Sequence, residues 1–248
     1  MKYSMKDITA SYTPEKRKDT SWWARIFSRP LSFVVTYPLI NLGVSANAVS
    51  IASIFVALIA CGLLMMGDPV STVGVFVFLF WDVLDCVDGN IARAKKTSSL
   101  KGEYMDAVSG YTAPAFIYLA VGVAAFREPG LMARIGIGYW IIVIGAVASL
   151  ADLLSRIVYQ KFLVTQLKLS AGENGVENGI EKERRNGIKR VLDLIMKNMT
   201  YSSLFMPLLV IAKFAHGFDL LVSFYCLYSL AILAGSYWIF ITKAVKEF

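Results

Sequence analysis

The sequence predicts an all-α integral membrane protein: six transmembrane helices preceded by an N-terminal interfacial amphipathic helix. Three observations carry that expectation. Hydrophobic residues make up 56% of the chain and charged residues only 17%, against ~45–50% and ~25% in soluble domains. The apolar residues are gathered into runs close to the ~20 residues that cross a hydrocarbon layer, and the mean hydropathy is +0.57. The basic residues fall between those runs with a strong bias to one side. The same composition excludes disorder, collagen and disulfide scaffolds, and Cys61, Cys86 and Cys226, odd in number and inside apolar runs, read as packing residues.

Residues 1–20 are polar, hold no apolar core of signal-peptide length, and are expected to form a cytoplasmic N-terminus beginning at Met1. In residues 21–42, Trp22, Trp23 and Phe27 stand beside Arg25 and Arg29, the mixture of a juxtamembrane amphipathic helix lying in the membrane interface. Pro30 and Pro38 are expected to limit it to short pieces. The six spans, one domain over 46–242, fall near 46–67, 69–94, 102–126, 131–160, 198–216 and 219–242. The fourth is long enough to leave the bilayer as a continuing helix through Tyr159 and Phe162. A polar, glycine-containing stretch at about 170–190 reads as a flexible cytoplasmic loop, and 243–248 as a cytoplasmic tail. Tyr139, Trp140, Tyr237 and Trp238 read as interface anchors or packing.

Orientation follows from Lys and Arg, which stay on the cytoplasmic side. With both termini cytoplasmic, 22 of the 25 basic residues lie inside, and only Arg127, Arg134 and Lys213 outside. The reverse orientation inverts the bias. The net charge of +7 therefore marks a cytoplasmic face meeting anionic headgroups, not nucleic acid.

A carboxylate inside a span is costly and is a functional candidate by default. The second span ends WDVLDCVDGNIAR and the third begins GEYMDAVSG. Asp82, Asp85 and Asp88 recur every three residues along one side of a helix. Asp106 lies early in the next helix, and the short connection makes the two helices antiparallel neighbours whose acids converge at the cytoplasmic ends. Clustered carboxylates repel one another unless a cation neutralises them, and an all-oxygen set favours Mg²⁺ or Mn²⁺. Zinc is disfavoured because the one histidine, His216, belongs to the opposite face. Spacing alone leaves two further readings open: helix-end aspartates facing water, and a cation-binding transporter.

Asp85-x-x-Asp88-Gly89-x-x-Ala92-Arg93, eight residues, then Gly102-x-x-x-Asp106 resembles the signature of the CDP-alcohol phosphotransferase (phosphatidyltransferase) family, D-x-x-D-G-x-x-A-R-(about eight)-G-x-x-x-D-x-x-x-D. Asn47, at the start of the first span, is similar to the asparagine of the family's Pro-Asn-x-x-Thr motif, with Ala46 and Ser50 as departures. The resemblance implies six spans, a cytoplasm-facing site, commonly a homodimer, and transfer of a substituted phosphate from a CDP-linked alcohol to an acceptor hydroxyl with release of CMP. It implies that Asp85, Asp88 and Asp106 hold the metal against the diphosphate and that Gly89 lets the nucleotide approach the backbone. Ala92 leaves room, Arg93 clamps phosphate or cytidine oxygens, Ser99 and Gly102 shape the loop over the diphosphate, and Asn47 contacts the nucleotide. The donor, CDP-diacylglycerol or a CDP-polyol, places the protein in phospholipid or in surface-glycan or glycolipid synthesis. A non-catalytic relative, or a cation-binding transporter, with the same acidic cavity is the alternative.

One position departs. Gly110 stands where the family's fourth aspartate, credited with metal binding and activation of the acceptor, is expected. Asp82 and Glu103, each one turn before a motif aspartate, are the substitutes the spacing admits, with Asp82 preferred. An acceptor needing little deprotonation, a base carried by the substrate, or a catalytically weak chain would equally account for the glycine. Arg156 and Lys161, with Arg184, Arg185, Lys189 and Arg190, suit an anionic acceptor, although positive-inside bias explains them too, and Asp152 and Arg156 are spaced as an i,i+4 pair.

Overall fold

The computed structural model describes residues 2–172 and 201–247, and those residues contain helices and no strand. Two short helices come first, α1 (Met5–Ala10) and α2 (Pro14–Asp19), each opened by a hydroxyl cap, Ser4 on Asp7 and Thr13 on Lys16. A π turn (Ala24–Ser28) leads into α3 (Arg29–Asn41). Then come α4 (Ala46–Leu64), α5 (Val70–Lys95), α6 (Leu100–Arg127), α7 (Trp140–Gly172), α8 (Met206–Phe214) and α9 (Phe218–Glu247).

Among the described residues, five helices, α4, α5, α6, α7 and α9, are long and apolar enough to cross a membrane. The expected span at 198–216 appears as a π turn (Tyr201–Phe205) continued by α8, an apolar stretch shorter than a span. Residues 198–200, and most of the expected loop at 170–190, lie outside the described residues.

The expectation for the fourth span fails at its start. The stretch 131–139 is apolar enough to resemble a span, but Met132–Ile135 is a single 3₁₀ turn, and Gly136 and Gly138 take φ of +77° and +52°. That left-handed backbone suits glycine and does not continue a helix, so α7 begins at Trp140 and runs on past Tyr159 and Phe162.

The pre-span segment also differs from its expectation. Pro30 sits in the first turn of α3, where a missing N–H costs nothing, and α3 continues through Pro38 to Asn41. The expected break does not occur. The small hydroxyl residues Ser32 and Thr36, with Ile40, are buried against α5, while Leu31 and Val34 are exposed. The inward side of this helix is thus its polar side, matched to polar groups on α5.

α4 packs on α5 and α6, α6 on α7, α7 on α9, and α8 on α5 and α9. Gly122 and Gly145 let α6 and α7 touch backbone to backbone: a Cβ on Gly145 would lie 2.5 Å from the Tyr118 carbonyl oxygen. Mid-bundle, Phe78, Trp81, Tyr118, Phe205 and Tyr225 form a buried aromatic cluster with ring centroids 5.0–6.5 Å apart, close enough for offset and edge contacts. All three cysteines are buried and free.

At the end remote from the acidic motif, Lys213 of α8 is 4% exposed and donates to Glu128 at 2.6 Å, Asp68 at 2.5 Å and Ser71 at 2.7 Å. This staple joins α8 to the flanks of α5 and α6. Its ammonium holds the Asp68 carboxyl below the ordinary value of 3.8 through their hydrogen bond.

Candidate functional site

Two capped helix starts and one helix end meet at the motif end of the bundle. Ser45 accepts from the Ala48 amide at the head of α4, and Ser99 accepts from the Gly102 amide at 3.1 Å at the head of α6. Between them α5 ends at Lys96, whose φ of +53° lets the Thr97 amide donate back to the Ala92 carbonyl at 2.9 Å. Lys95 anchors the turn by donating to the Val44 carbonyl at 2.7 Å. The connection from α5 to α6 is therefore a tight, doubly capped turn.

These elements enclose a cavity of about 440 Å³. Ala46, Asn47 and Ser50 of α4 form one wall, and Asp88, Gly89, Ala92 and Arg93 of α5 another. Thr97, Ser98 and Ser99 of the turn, with Leu100, Gly102, Glu103 and Asp106 of α6, close it. A Cβ on Gly102 would lie 3.6 Å from Asn47 Oδ1, so the asparagine faces the first turn of α6 directly. Of the eleven residues singled out from the sequence, the cavity brings together nine: Asn47, Asp88, Gly89, Ala92, Arg93, Ser99, Gly102, Glu103 and Asp106.

Asp82 and Asp85 do not line it. Residues three apart on an α-helix are about 300° apart, so each step of three turns the side chain back by about 60°. Asp82, Asp85 and Asp88 therefore fan across α5 and do not share one direction. Asp82, 2% exposed, points to the pre-span segment, where its Oδ2 accepts from Trp23 Nε1 at 3.2 Å and from the Ser28 hydroxyl. Asp88 points the other way, accepting from the Ser50 hydroxyl of α4 at 2.5 Å. Of the two residues expected to substitute for a carboxylate at position 110, Asp82 lies outside the cavity lining and Glu103 lies on the cavity wall.

Arg93 folds back over Gly89, whose Cβ would lie 3.0 Å from an Arg93 Nη. In this conformation the missing side chain makes room for the guanidinium. Arg93 also donates to Asn90 Oδ1 at 2.8 Å, as does Arg29 of α3 at 3.2 Å. Asn90 is in turn fixed by donating to the Ser32 and Thr36 hydroxyls. The sequence reading missed Ser50 as a partner of Asp88, and it missed Asn90 and Arg29 as residues of the site. Spacing from Asn47 could have flagged Ser50, one turn on and on the same face; nothing local marks the other two.

Asp85 lies within electrostatic range of Asp82, Asp88 and Asp106, with Arg29 the nearby countercharge. Among the described residues, no Lys or Arg forms an ion pair with Asp85, Asp88 or Asp106. In chemistry this donor set fits a hard divalent cation. In placement it does not: no three of the described carboxylates, histidines and cysteines stand close enough to share an ion.

Beyond the cavity, Arg156 pairs with Asp152 at 2.6 Å, lies 5.8 Å from the centre of the Tyr111 ring, and has Gln160 nearby donating to Tyr111 Oη. Arg184, Arg185, Lys189 and Arg190 lie outside the described residues.

The family model described as CDP-alcohol phosphatidyltransferase matches residues 43–234, from just before α4 into α9. No curated protein matches the chain.

Proposed function

The chain belongs to the CDP-alcohol phosphatidyltransferase family, and from that premise we propose that its cavity binds the CDP moiety of a CDP-linked alcohol and catalyses transfer of the alcohol phosphate to an acceptor hydroxyl, releasing CMP. Membership makes it a membrane phosphotransferase of CDP-alcohol type, in a family generally dependent on a divalent metal. The observation that carries the finer reading is the cavity itself: the heads of α4 and α6, Arg93, Asp88 and Asp106 face one 440 Å³ space. Helix N-termini present free amides and a positive dipole end, suited to phosphate oxygens, and Arg93 adds a charged fork.

In this reading Asn47 and Arg93 hold the cytidine monophosphate half, and Ser99 and Gly102 fix the turn beside the diphosphate. The acceptor oxygen attacks the phosphorus bearing the alcohol, the bond from that phosphorus to the bridging oxygen breaks, and CMP leaves with the electron pair. Glu103 takes the acceptor's proton, standing in for the carboxylate absent at Gly110. The oxygen chemistry of Asp85, Asp88 and Asp106 suits Mg²⁺ or Mn²⁺, but as placed these carboxylates do not converge on one ion, so no step of the transfer is assigned to a metal. Asp82 serves as the anchor of the pre-span segment. The bias of the basic residues supports a cytoplasmic site and termini, and the chain acts as a homodimer in the bilayer. Candidate donors are CDP-diacylglycerol and CDP-polyols, and the acceptor carries a negative charge.

A second reading has one observation in its favour. Gly110, with carboxylates that do not converge, suits a relative that binds the nucleotide without turning it over. Purified chain in lipid nanodiscs, given labelled CDP-diacylglycerol or CDP-polyols with a panel of alcohols and sugar phosphates, should release CMP and form a new phosphodiester with one pair. Nucleotide binding without CMP release would support the second reading, and neither would refute both.

A further inference from the structure

We infer that Arg29, which precedes the matched residues 43–234, joins Arg93 in a subsite for a phosphate oxyanion at the edge of the cavity. Both guanidinium groups donate to one neutral oxygen, Asn90 Oδ1, at 3.2 and 2.8 Å, which sets two like charges side by side. Asn90 cannot turn away, because its amide nitrogen is committed to Ser32 and Thr36 at 2.9 and 3.3 Å. Each arginine also keeps its Nε buried without an acceptor. Among the described residues neither forms an ion pair with a carboxylate.

Two cations bridged only by an uncharged amide repel each other and gain from an anion between them. An aspartate at position 90 would offset one of the two positive charges and tie the guanidinium groups to itself; the asparagine orients the arginines and leaves both charges available. Arg93 lines the cavity, so the pair borders the space where a diphosphate would lie. On its far side Arg29 is covered by the Tyr12 ring, 5.2 Å from the guanidinium carbon to the ring centre, and Tyr12 is held by its hydroxyl donating to Thr20 at 2.8 Å. The N-terminal segment thereby fixes the outer face of the subsite. Balancing Asp82 and Asp85, which also lie within electrostatic range of Arg29, is a role that does not require the shared asparagine.

The phosphate could belong to the donor's diphosphate or to a phosphorylated acceptor, and the donor assignment rests on the CDP-alcohol reading above. The test uses full-length protein in nanodiscs with cytidine, CMP, CDP and inorganic pyrophosphate as probes, in wild type, Arg29→Gln, Arg29→Lys and Asn90→Asp, with thermal unfolding to verify folding. Arg29→Gln and Asn90→Asp should weaken CDP and pyrophosphate about tenfold or more, the loss of one hydrogen bond to a charged group. Cytidine should be unaffected, and Arg29→Lys intermediate. Unchanged nucleotide binding with a tenfold higher KM for a phosphorylated acceptor would assign the subsite to the acceptor. A wild type that binds pyrophosphate through Arg29 but no cytidine nucleotide would overturn the CDP reading and keep the subsite. Affinities and KM that are all unchanged in folded Arg29→Gln would overturn the subsite.

Discussion

Asp82→Asn and Glu103→Gln should separate holding from chemistry. Asp82 is buried, and one of its oxygens accepts from both Trp23 and Ser28. An asparagine keeps a carbonyl acceptor but loses the charge that strengthens these bonds, each worth ~1.5–3 kcal/mol when one partner is ionised. The net cost should be about 1–3 kcal/mol, a fall in Tm of roughly 2–10 °C for a chain of this size. The damage should centre on the segment that Trp23 and Ser28 anchor, so trypsin should cut faster at Lys16, Arg17 and Lys18. Turnover should largely persist, with a raised donor KM because Arg29 follows Ser28 directly. Glu103 lines the open cavity, so Glu103→Gln should leave Tm unchanged and lower kcat by ~10²–10⁴-fold, the usual contribution of a general base. If folded Asp82→Asn loses kcat as far as Glu103→Gln, with Tm and trypsin sensitivity unchanged, the division of labour is refuted.

Gly110→Asp places a carboxylate one turn after Asp106; if Glu103 serves as base, kcat should change little, and a large rise would show that it does not. Lys213→Met leaves Glu128, 7% exposed, without its cation and should cost about 3–5 kcal/mol of stability, read as a lower Tm with nucleotide binding retained in the folded fraction. Because the folded Asp68 carboxyl is held below 3.8, its share of that staple is fully present above pH 3.8 and lost as pH falls through the lower folded value, so acid unfolding of wild type should steepen there and that of Lys213→Met should not. Asn178→Cys in a background without Cys61, Cys86 and Cys226 should resist an impermeant thiol reagent in intact cells and react after lysis, and labelling in intact cells would invert the orientation.

The spans were legible because bilayer thickness imposes a length and because apolar composition is local. The starts of α4, α5 and α6 came within a few residues for that reason. The fourth failed where composition stayed apolar but Gly136 and Gly138 turned the backbone, a conformational choice that hydropathy does not record. The cavity was legible because its residues sit at fixed offsets on α5 and α6, joined by a turn too short to separate them. The fan of the aspartates was implicit in the 3.6-residue period, yet which neighbour each would meet was not. Ser28 with Asp82, and Arg29 with Asn90, are 54 and 61 residues apart, and no local period links them. The same holds for α3, whose Ser32 and Thr36 turn inward to meet Asn90 on α5.

The most direct test of the account is CMP release from a CDP-alcohol donor by purified wild type and Asp88→Asn at saturating Mg²⁺, each repeated after chelation. Wild type should release CMP stoichiometrically with a new phosphodiester and stop when the metal is removed, whereas folded Asp88→Asn should release none under either condition. Equal CMP release by wild type and Asp88→Asn would contradict the placement of the chemistry in this cavity.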